Sequence, residues 1–212
     1  MVKAIIFDFD GTLAPLNLDF SHLRREVLKI AYQYLPPEAL NSFNDMPVLE
    51  MIYELEGVLE ERGQEFKDQA FLKLNELEIE AAKKKALFPY TRRVLNYLNG
   101  KSIRIGIITR TCMGAVTQVF PDFEDYVSAV ITREHVRRVK PHPEHILKIL
   151  QILCVHAYDA MVVGDHVTDI IGGKLAGTKT AAVLTGRTER DEFLKLEPTY
   201  ILNDISEILE IV

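Results

Sequence analysis

Two aspartates near the amino terminus are the first residues whose type and spacing could do chemistry. Asp8 and Asp10 are separated by one residue and directly follow the apolar run 4–7. Gly11 and Thr12 come next and interrupt the run. Two like charges at the end of one strand repel each other. Such a pair therefore indicates either a site that faces water or a cation held between the carboxylates.

Other reactive side chains follow later apolar runs in the same way. Thr109 comes directly after the run 103–108, and Asp165 comes directly after the run 160–163 and Gly164. Asp169 lies four residues beyond Asp165, a spacing that keeps both carboxylates on one side of a helical turn. Lys140 lies between a third run and a helical segment. Because open α/β sheets bind ligands at the carboxyl ends of their strands, we expect these groups to gather at one edge.

These side chains could bind a metal ion and an anion. Carboxylate oxygens are the ligands that suit Mg²⁺, which leaves coordination positions for substrate oxygens. A lysine and a hydroxyl suit an anion such as phosphate. Each residue alone has a structural explanation, since Asp-x-Asp at a strand end is usually solvated and a lone threonine often caps a turn. Their appearance together and in this order favours a functional site.

Alternating strands and helices are expected to position these residues. Short apolar runs rich in β-formers predict strands at 4–7, 103–108, 127–131, 160–163, 180–184 and, more weakly, 199–202. Helical periodicity between them predicts helices at 91–98, 143–153 and 170–176. Strands that are apolar almost throughout are typical of a parallel sheet buried on both faces. The sequence therefore predicts an α/β fold with a doubly wound parallel sheet, a Rossmann-like core.

One stretch interrupts the alternation. Residues 15–87 contain no convincing strand, and helical patterns cover 20–34, 48–59 and 66–86. A block of this length is too long for an ordinary crossover connection. We therefore predict a catalytic core of residues 1–14 and 88–212 with an inserted helical subdomain of residues 15–87. The alternative is a helical bundle that only covers an edge of the sheet.

Composition sets the broad class of protein. The chain has 212 residues, of which 48% are hydrophobic and 26% charged, and its net charge is −6. These values predict a soluble globular protein without a general affinity for nucleic acid or anionic membranes. Cys112 and Cys154 do not have a metal-type spacing and are expected to be free thiols of a cytoplasmic protein. The sequence makes no prediction of oligomeric state.

Four segments together resemble the ordered motifs of the haloacid dehalogenase superfamily. They are residues 8–13, Thr109, residues 140–143 and residues 164–169. The resemblance covers essentially the whole chain, and the helical insert resembles the cap of the subgroup that contains phosphoglycolate phosphatases and β-phosphoglucomutases. One departure is Arg110, since many relatives have asparagine at this position.

The resemblance implies a role for each carboxylate. Asp8 would be the nucleophile that forms an aspartyl phosphate, and Asp10 would be first the general acid and then the general base. Mg²⁺ would be held by Asp8, the backbone carbonyl of Asp10, and Asp165. Asp169 would be either a direct ligand or a residue that holds a ligand in place.

The resemblance also implies how substrate is bound. Thr109 and Lys140 would bind the phosphoryl oxygens, and Arg110 is counted with them as a substrate-binding residue. The implied activity is Mg²⁺-dependent hydrolysis of a small phosphorylated metabolite, such as phosphoglycolate or a sugar phosphate.

Three alternative functions stay open at this point. A phosphomutase of the β-phosphoglucomutase type would keep the same core residues. A haloacid dehalogenase is less favoured, because a halide leaves without a proton and those enzymes generally lack the second aspartate. A phospho-aspartate signalling module of the receiver type is also less favoured, because receivers are shorter and have no cap.

Overall fold

A computed structural model of the protein describes residues 2–212. Within these residues six strands form one sheet in which every neighbouring pair is parallel. The strands are β1 (Ala4–Phe7), β2 (Arg104–Ile108), β3 (Ala129–Ile131), β4 (Ala160–Gly164), β5 (Lys179–Val183) and β6 (Tyr200–Leu202). Their order across the sheet is β3-β2-β1-β4-β5-β6. The predicted doubly wound parallel sheet is confirmed.

Eight α-helices accompany the sheet in residues 2–212. They are α1 (Phe20–Ala31), α2 (Val48–Val58), α3 (Gly63–Ala82), α4 (Thr91–Gly100), α5 (Met113–Val119), α6 (Glu144–Leu153), α7 (Val167–Ala176) and α8 (Arg190–Leu196). The sequence pattern did not predict α5 and α8, which are only two turns long. It also extended α3 too far, to residue 86. The chain leaves the helix after Ala82, where the Lys85 amide closes a turn on the Ala82 carbonyl at 3.1 Å.

The position of β1 explains why its carboxyl end can hold a site. All four of its residues are completely buried. It pairs with β2 on one side and with β4 on the other. From β1 the chain adds β2 and β3 on one side of the sheet and then β4, β5 and β6 on the other. Open α/β sheets form a crevice for ligands at such a switch in strand order.

Helix α6 packs on the strands at the centre of the sheet. Its residues Ile146, Ile149 and Leu153 are buried in one cluster with Ile6 of β1 and Ile108 of β2. The apolar stripe of this helix therefore covers the strands whose ends carry the predicted site.

The chain divides into two compact units. One contains residues 2–16 and Ala82–Val212, and the other is Asn17–Ala81. The second unit contains α1, α2 and nearly all of α3, with the Tyr34 and Phe66 rings packed edge to face at 5.7 Å. Segment 82–87, which the sequence pattern assigned to the insert, lies in the unit that contains the sheet. The cap role of the helical unit stays a prediction.

Over residues 2–212, every helix is too short or too polar to span a bilayer.

Candidate active site

The loop after β1 is tightly closed by backbone hydrogen bonds. The Phe9 carbonyl accepts from the amides of Leu13 and Ala14, at 2.9 and 3.1 Å. Gly11 has φ +96°, in the left-handed region that other residues rarely adopt. On an ideal strand the side chains of Asp8 and Asp10 would point to the same face of the sheet. The bend at Gly11 instead gives the two aspartates different partners.

Three buried carboxylates meet beside one lysine at this end of the sheet. Asp8, Asp165 and Asp169 each offer an oxygen within 4.8 Å of the others. The Lys140 ammonium donates a hydrogen bond to Asp8 Oδ1 and lies 2.6 Å from Asp169 Oδ1. All four residues are at most 5% exposed. The structure thus brings together four of the residues predicted from separate motifs.

The first turn of α7 orients Asp169. Its Oδ2 accepts a hydrogen bond from the backbone amide of His166 at 3.0 Å, and the His166 ring in turn accepts from the Thr168 amide. This reciprocal capping box fixes Asp169 as the third residue of the helix. Its other oxygen, Oδ1, is thereby turned toward Lys140.

A neutral histidine anchors the segment that carries Lys140. The Lys140 backbone amide donates to His145 Nδ1 at 3.4 Å, and His145 Nε2 donates to the Ile131 carbonyl at 2.9 Å. Burial, followed by the nearby charge of Lys140, lowers the pKa of His145 to about 3. The ring is therefore neutral near pH 7 and can accept at one nitrogen while it donates at the other.

The carboxylate cluster carries more negative charge than its lysine offsets. Burial raises the pKa of Asp165 well above the usual carboxyl range, and repulsion from Asp8 and Asp169 raises it further. Burial raises the pKa of Asp8 as well, although Lys140 partly opposes this shift. Burial alone would lower the pKa of Lys140, but the charges of Asp169 and Asp8 outweigh it and raise that pKa. Such a site favours binding of an additional cation.

Asp10 has a separate set of contacts. Thr111 Oγ1 donates to Asp10 Oδ2 at 2.6 Å, and the Lys85 ammonium donates to Asp10 Oδ1. The side chain of Lys85 is 3% exposed, and that of Asp10 is 13% exposed. Both carboxylate oxygens therefore have a donor from the protein. The predicted metal role of Asp10 concerns its backbone carbonyl, and that role stays a prediction.

The donor set fits a divalent cation. Asp169 Oδ1 is buried and lies 2.6 Å from the Lys140 ammonium, but within residues 2–212 no well-directed hydrogen bond satisfies it. With all four aspartates ionised, Lys140 and Lys85 leave the site with two uncompensated negative charges. Three converging carboxylates of hard oxygen type, with this charge, suit Mg²⁺. Asp8, Asp165 and Asp169 are the side chains that would hold it.

Asp165 sits in a narrow slot between two loops. Its Oδ1 accepts from Thr12 Oγ1 at 3.1 Å. A Cβ atom added at Gly186, in the loop after β5, would collide with the Asp165 carboxylate. Thr185 Oγ1 donates to the Gly11 carbonyl at 2.5 Å and so ties this loop to the loop after β1. The loop after β5 therefore fixes the position of a candidate metal ligand.

Replacing Gly186 is expected to weaken metal binding. Gly186→Ala should displace the Asp165 carboxylate and raise the Mg²⁺ concentration at half-maximal thermal stabilisation by roughly 10- to 100-fold, the usual cost of disturbing residues that orient metal ligands. The measurement is a thermal-melt titration with Mg²⁺. Gly100→Ala is the matched control, because nothing lies within 4 Å of a Cβ at that position. An unchanged midpoint in Gly186→Ala would show that the slot does not orient the ligand.

The predicted substrate-binding residues of the second motif lie at the end of β2. Thr109 is 1% exposed, and its Oγ1 accepts from the Thr111 amide at 3.1 Å. Arg110 is half-buried, and its carbonyl accepts from Arg133 Nη1 at 2.7 Å. Lys140 Nζ reaches the Ile108 carbonyl, next to Thr109, at 3.5 Å. Phosphate binding by Thr109, Arg110 and Lys140 stays a prediction.

The sequence pattern missed several residues of the site. Thr12 and Thr111 lie within or beside the motifs, but a lone hydroxyl gives no signal of its partner. Gly186 follows the fifth strand, so the rule that ligands bind at strand ends could have included it. Lys85 belongs to a run of three lysines, which is usually read as a solvated surface.

Comparison with known proteins gives the family. Residues 5–183 match the model of the haloacid dehalogenase-like hydrolases. The chain belongs to this family, and the predicted resemblance is confirmed. It is accordingly an enzyme, a hydrolase of the phosphatase type, as the sequence motifs predicted.

Relatives and solved structures agree with this assignment. Pyrophosphatase PpaX of Oceanobacillus iheyensis is 25% identical over all of this chain and 97% of its own length. A haloacid dehalogenase-like hydrolase from Bacteroides fragilis has a TM-score of 0.68 at 25% identity, covering 98% of this chain and 100% of that one. A Lactobacillus plantarum protein assigned as a phosphoglycolate phosphatase has a TM-score of 0.73 at 22% identity and full coverage of both chains, which supports the fold.

Proposed function

We propose that the protein is a Mg²⁺-dependent phosphatase that hydrolyses a small phosphate monoester through an aspartyl phosphate on Asp8. The observation that carries the proposal is the Asp8 carboxylate, buried at the end of β1 in contact with Lys140 and beside Asp165 and Asp169. A nucleophile in this position has a cation on one side and a metal-binding group on the other. Bound Mg²⁺ would offset the carboxylate charges and polarise a phosphoryl oxygen.

The first step would transfer the phosphoryl group to the enzyme. An oxygen of Asp8 attacks phosphorus, and the bond from phosphorus to the leaving oxygen breaks. The electron pair of that bond goes to the leaving oxygen, which takes a proton from Asp10. Lys140 and Thr109 would bind the phosphoryl oxygens, on which charge is spread in the transition state.

The second step would regenerate the enzyme. Water attacks phosphorus and gives a proton to Asp10, which acts as the base. The bond from phosphorus to the Asp8 oxygen breaks, and its electron pair returns the Asp8 carboxylate. Inorganic phosphate is the product, and Asp10 again carries the proton that the next substrate requires.

The substrate class follows from the proton donor and from the relatives. An alkoxide leaving group needs the proton that Asp10 would supply, which favours a phosphate ester over a haloacid. We infer phosphoglycolate or a small sugar phosphate as the substrate. Pyrophosphate is a second candidate, because relatives named as pyrophosphatases match the whole chain. We further propose that the enzyme works in the cytoplasm, since Cys112 and Cys154 are reduced thiols, as is usual in that compartment.

A hydrolysis screen tests the proposal. Phosphoglycolate, sugar phosphates, pyrophosphate and an aryl phosphate are incubated with the protein and Mg²⁺, and released phosphate is measured. We expect phosphoglycolate or one of the sugar phosphates to be turned over with kcat/KM at least about 10-fold above the rest of the panel. A preference for pyrophosphate would select the second candidate. Conversion of one sugar phosphate into its isomer without phosphate release would instead identify a phosphomutase.

A further inference from the structure

A buried lysine outside the predicted motifs contacts the proposed acid–base residue. Lys85 lies in the connection between α3 and α4 and follows two exposed lysines, Lys83 and Lys84. Its own side chain is 3% exposed. Burying an ammonium group costs free energy unless a partner compensates it. The partner here is Asp10, and its burial distinguishes Lys85 from the two exposed lysines that precede it.

The contacts hold both oxygens of the Asp10 carboxylate. Lys85 Nζ donates to Oδ1, and Thr111 Oγ1 donates to Oδ2 at 2.6 Å. Lys85 Nζ also lies 5.4 Å from the centroid of the Phe9 ring, which packs beneath it. With one donor on each oxygen, the carboxylate cannot rotate about χ2 without losing a charge-assisted hydrogen bond.

Hydrogen bonds to one backbone carbonyl fix the segment that supplies Lys85. The Phe88 amide donates to the Leu13 carbonyl at 3.0 Å, and Thr91 Oγ1 donates to the same carbonyl at 2.7 Å. Leu13 belongs to the loop that carries Asp10. The lysine and the aspartate are thus held on two segments that are bonded to each other, which limits how far they can separate.

We propose that Lys85 is a positioning residue that aims the Asp10 carboxylate for proton transfer. The proposal rests on the proposed acid–base role of Asp10. It predicts that Lys85 matters only in steps that move a proton through Asp10. These are the departure of an alkoxide, which takes a proton from Asp10, and the attack of water on the aspartyl phosphate, which gives one to Asp10. Transfer from an aryl phosphate to Asp8 needs no such proton, because the aryl oxide leaves unaided.

Single-turnover rapid-quench kinetics separate these steps. Lys85→Met keeps the length of the side chain and removes its charge and donors. At saturating aryl phosphate with Mg²⁺, phosphorylation of Asp8 should change less than about threefold. Hydrolysis of the aspartyl phosphate, and cleavage of an alkyl phosphate, should slow by about 10- to 100-fold, the loss expected for a misplaced reactive group. Lys84→Met, in the exposed neighbour, should behave as the parent in every step.

Two further variants complete the test. Thr111→Val removes the other donor and should slow the same steps. Asp10→Asn should show the same pattern with a larger loss, and Lys85→Met added to it should cost nothing more. Melting temperatures check the fold, and Lys85→Gln replaces Lys85→Met if that variant unfolds, because its neutral amide also lacks the charge that pairs with Asp10.

The outcomes separate the inference from the function it rests on. If Asp10→Asn is step-specific while the Lys85 variants slow all steps equally or none, the positioning role of Lys85 is wrong. If Asp10→Asn itself shows no step specificity, the acid–base assignment fails and the role of Lys85 fails with it.

Discussion

Asp8→Asn is expected to remove phosphatase activity almost completely. The neutral amide cannot attack phosphorus, so no aspartyl phosphate can form and both halves of the proposed reaction are lost. We expect kcat to fall on the order of 10⁴-fold or more, the scale seen when a covalent nucleophile is removed. Phosphate release under saturating substrate and Mg²⁺ measures the loss. Mass spectrometry of acid-quenched enzyme should show a phosphorylated peptide containing Asp8 in the parent and none in the variant.

An aspartate outside the site provides the control for this result. Asp159 forms an ion pair with the exposed Lys3 at 2.7 Å, and Asp159→Asn makes the same chemical change outside the site. Its activity should equal that of the parent. Substantial turnover in Asp8→Asn, or a phosphopeptide that maps to another residue, would contradict the assignment of the nucleophile.

The sequence could predict the parts of the site that follow strands. Asp8, Thr109 and Asp165 each come directly after an apolar run, and parallel strands place their carboxyl ends at one edge. The helical spacing from Asp165 to Asp169 was equally informative, because α7 begins between them at Val167. These residues are predictable because local periodicity fixes where a strand ends and a helix begins.

Residues that reach the site by long-range approach could not be predicted in this way. Lys85 pairs with a residue 75 positions away, and nothing in a run of three lysines indicates which one turns inward. A glycine is needed at 186 because the Asp165 carboxylate, from another loop, lies against it. No pattern in the sequence around Gly186 indicates this contact. The limits of α3 were also missed, since turn bonding and not composition ends that helix.

Charge balance links the predicted and the unpredicted residues. The four aspartates identified from the motifs would repel one another strongly at one sheet edge. Lys140, found from sequence, lies between Asp8 and Asp169, and Lys85, found only in the structure, compensates Asp10. When all four aspartates are ionised, as a bound cation would favour, the two remaining negative charges fall on the cluster with Asp165. A single divalent cation would neutralise them, so metal and fold should stabilise each other.

Removal of metal should therefore abolish turnover and lower stability together. In excess EDTA we expect no measurable phosphate release, and added Mg²⁺ should restore it. At about one hundred times its Kd, Mg²⁺ should stabilise the folded state by about 2.7 kcal/mol. For a chain of this length that corresponds to a Tm rise of roughly 5 to 10 °C. Differential scanning fluorimetry with and without Mg²⁺ measures the shift.

Asp165→Asn should weaken the effects of Mg²⁺ on turnover and on stability while the protein stays folded. The variant keeps an acceptor for Thr12 Oγ1 and replaces a carboxyl whose pKa is raised by burial and by Asp8 and Asp169, so without metal it should melt at or above the temperature of the parent. With Mg²⁺ it should gain little stability, because a ligand is lost, and its activity should require far more Mg²⁺. Asp191→Asn, at an exposed position, should keep the full metal-induced shift. An unchanged Mg²⁺ titration in Asp165→Asn would place the metal elsewhere, and full activity of the parent in EDTA would show that catalysis does not use one.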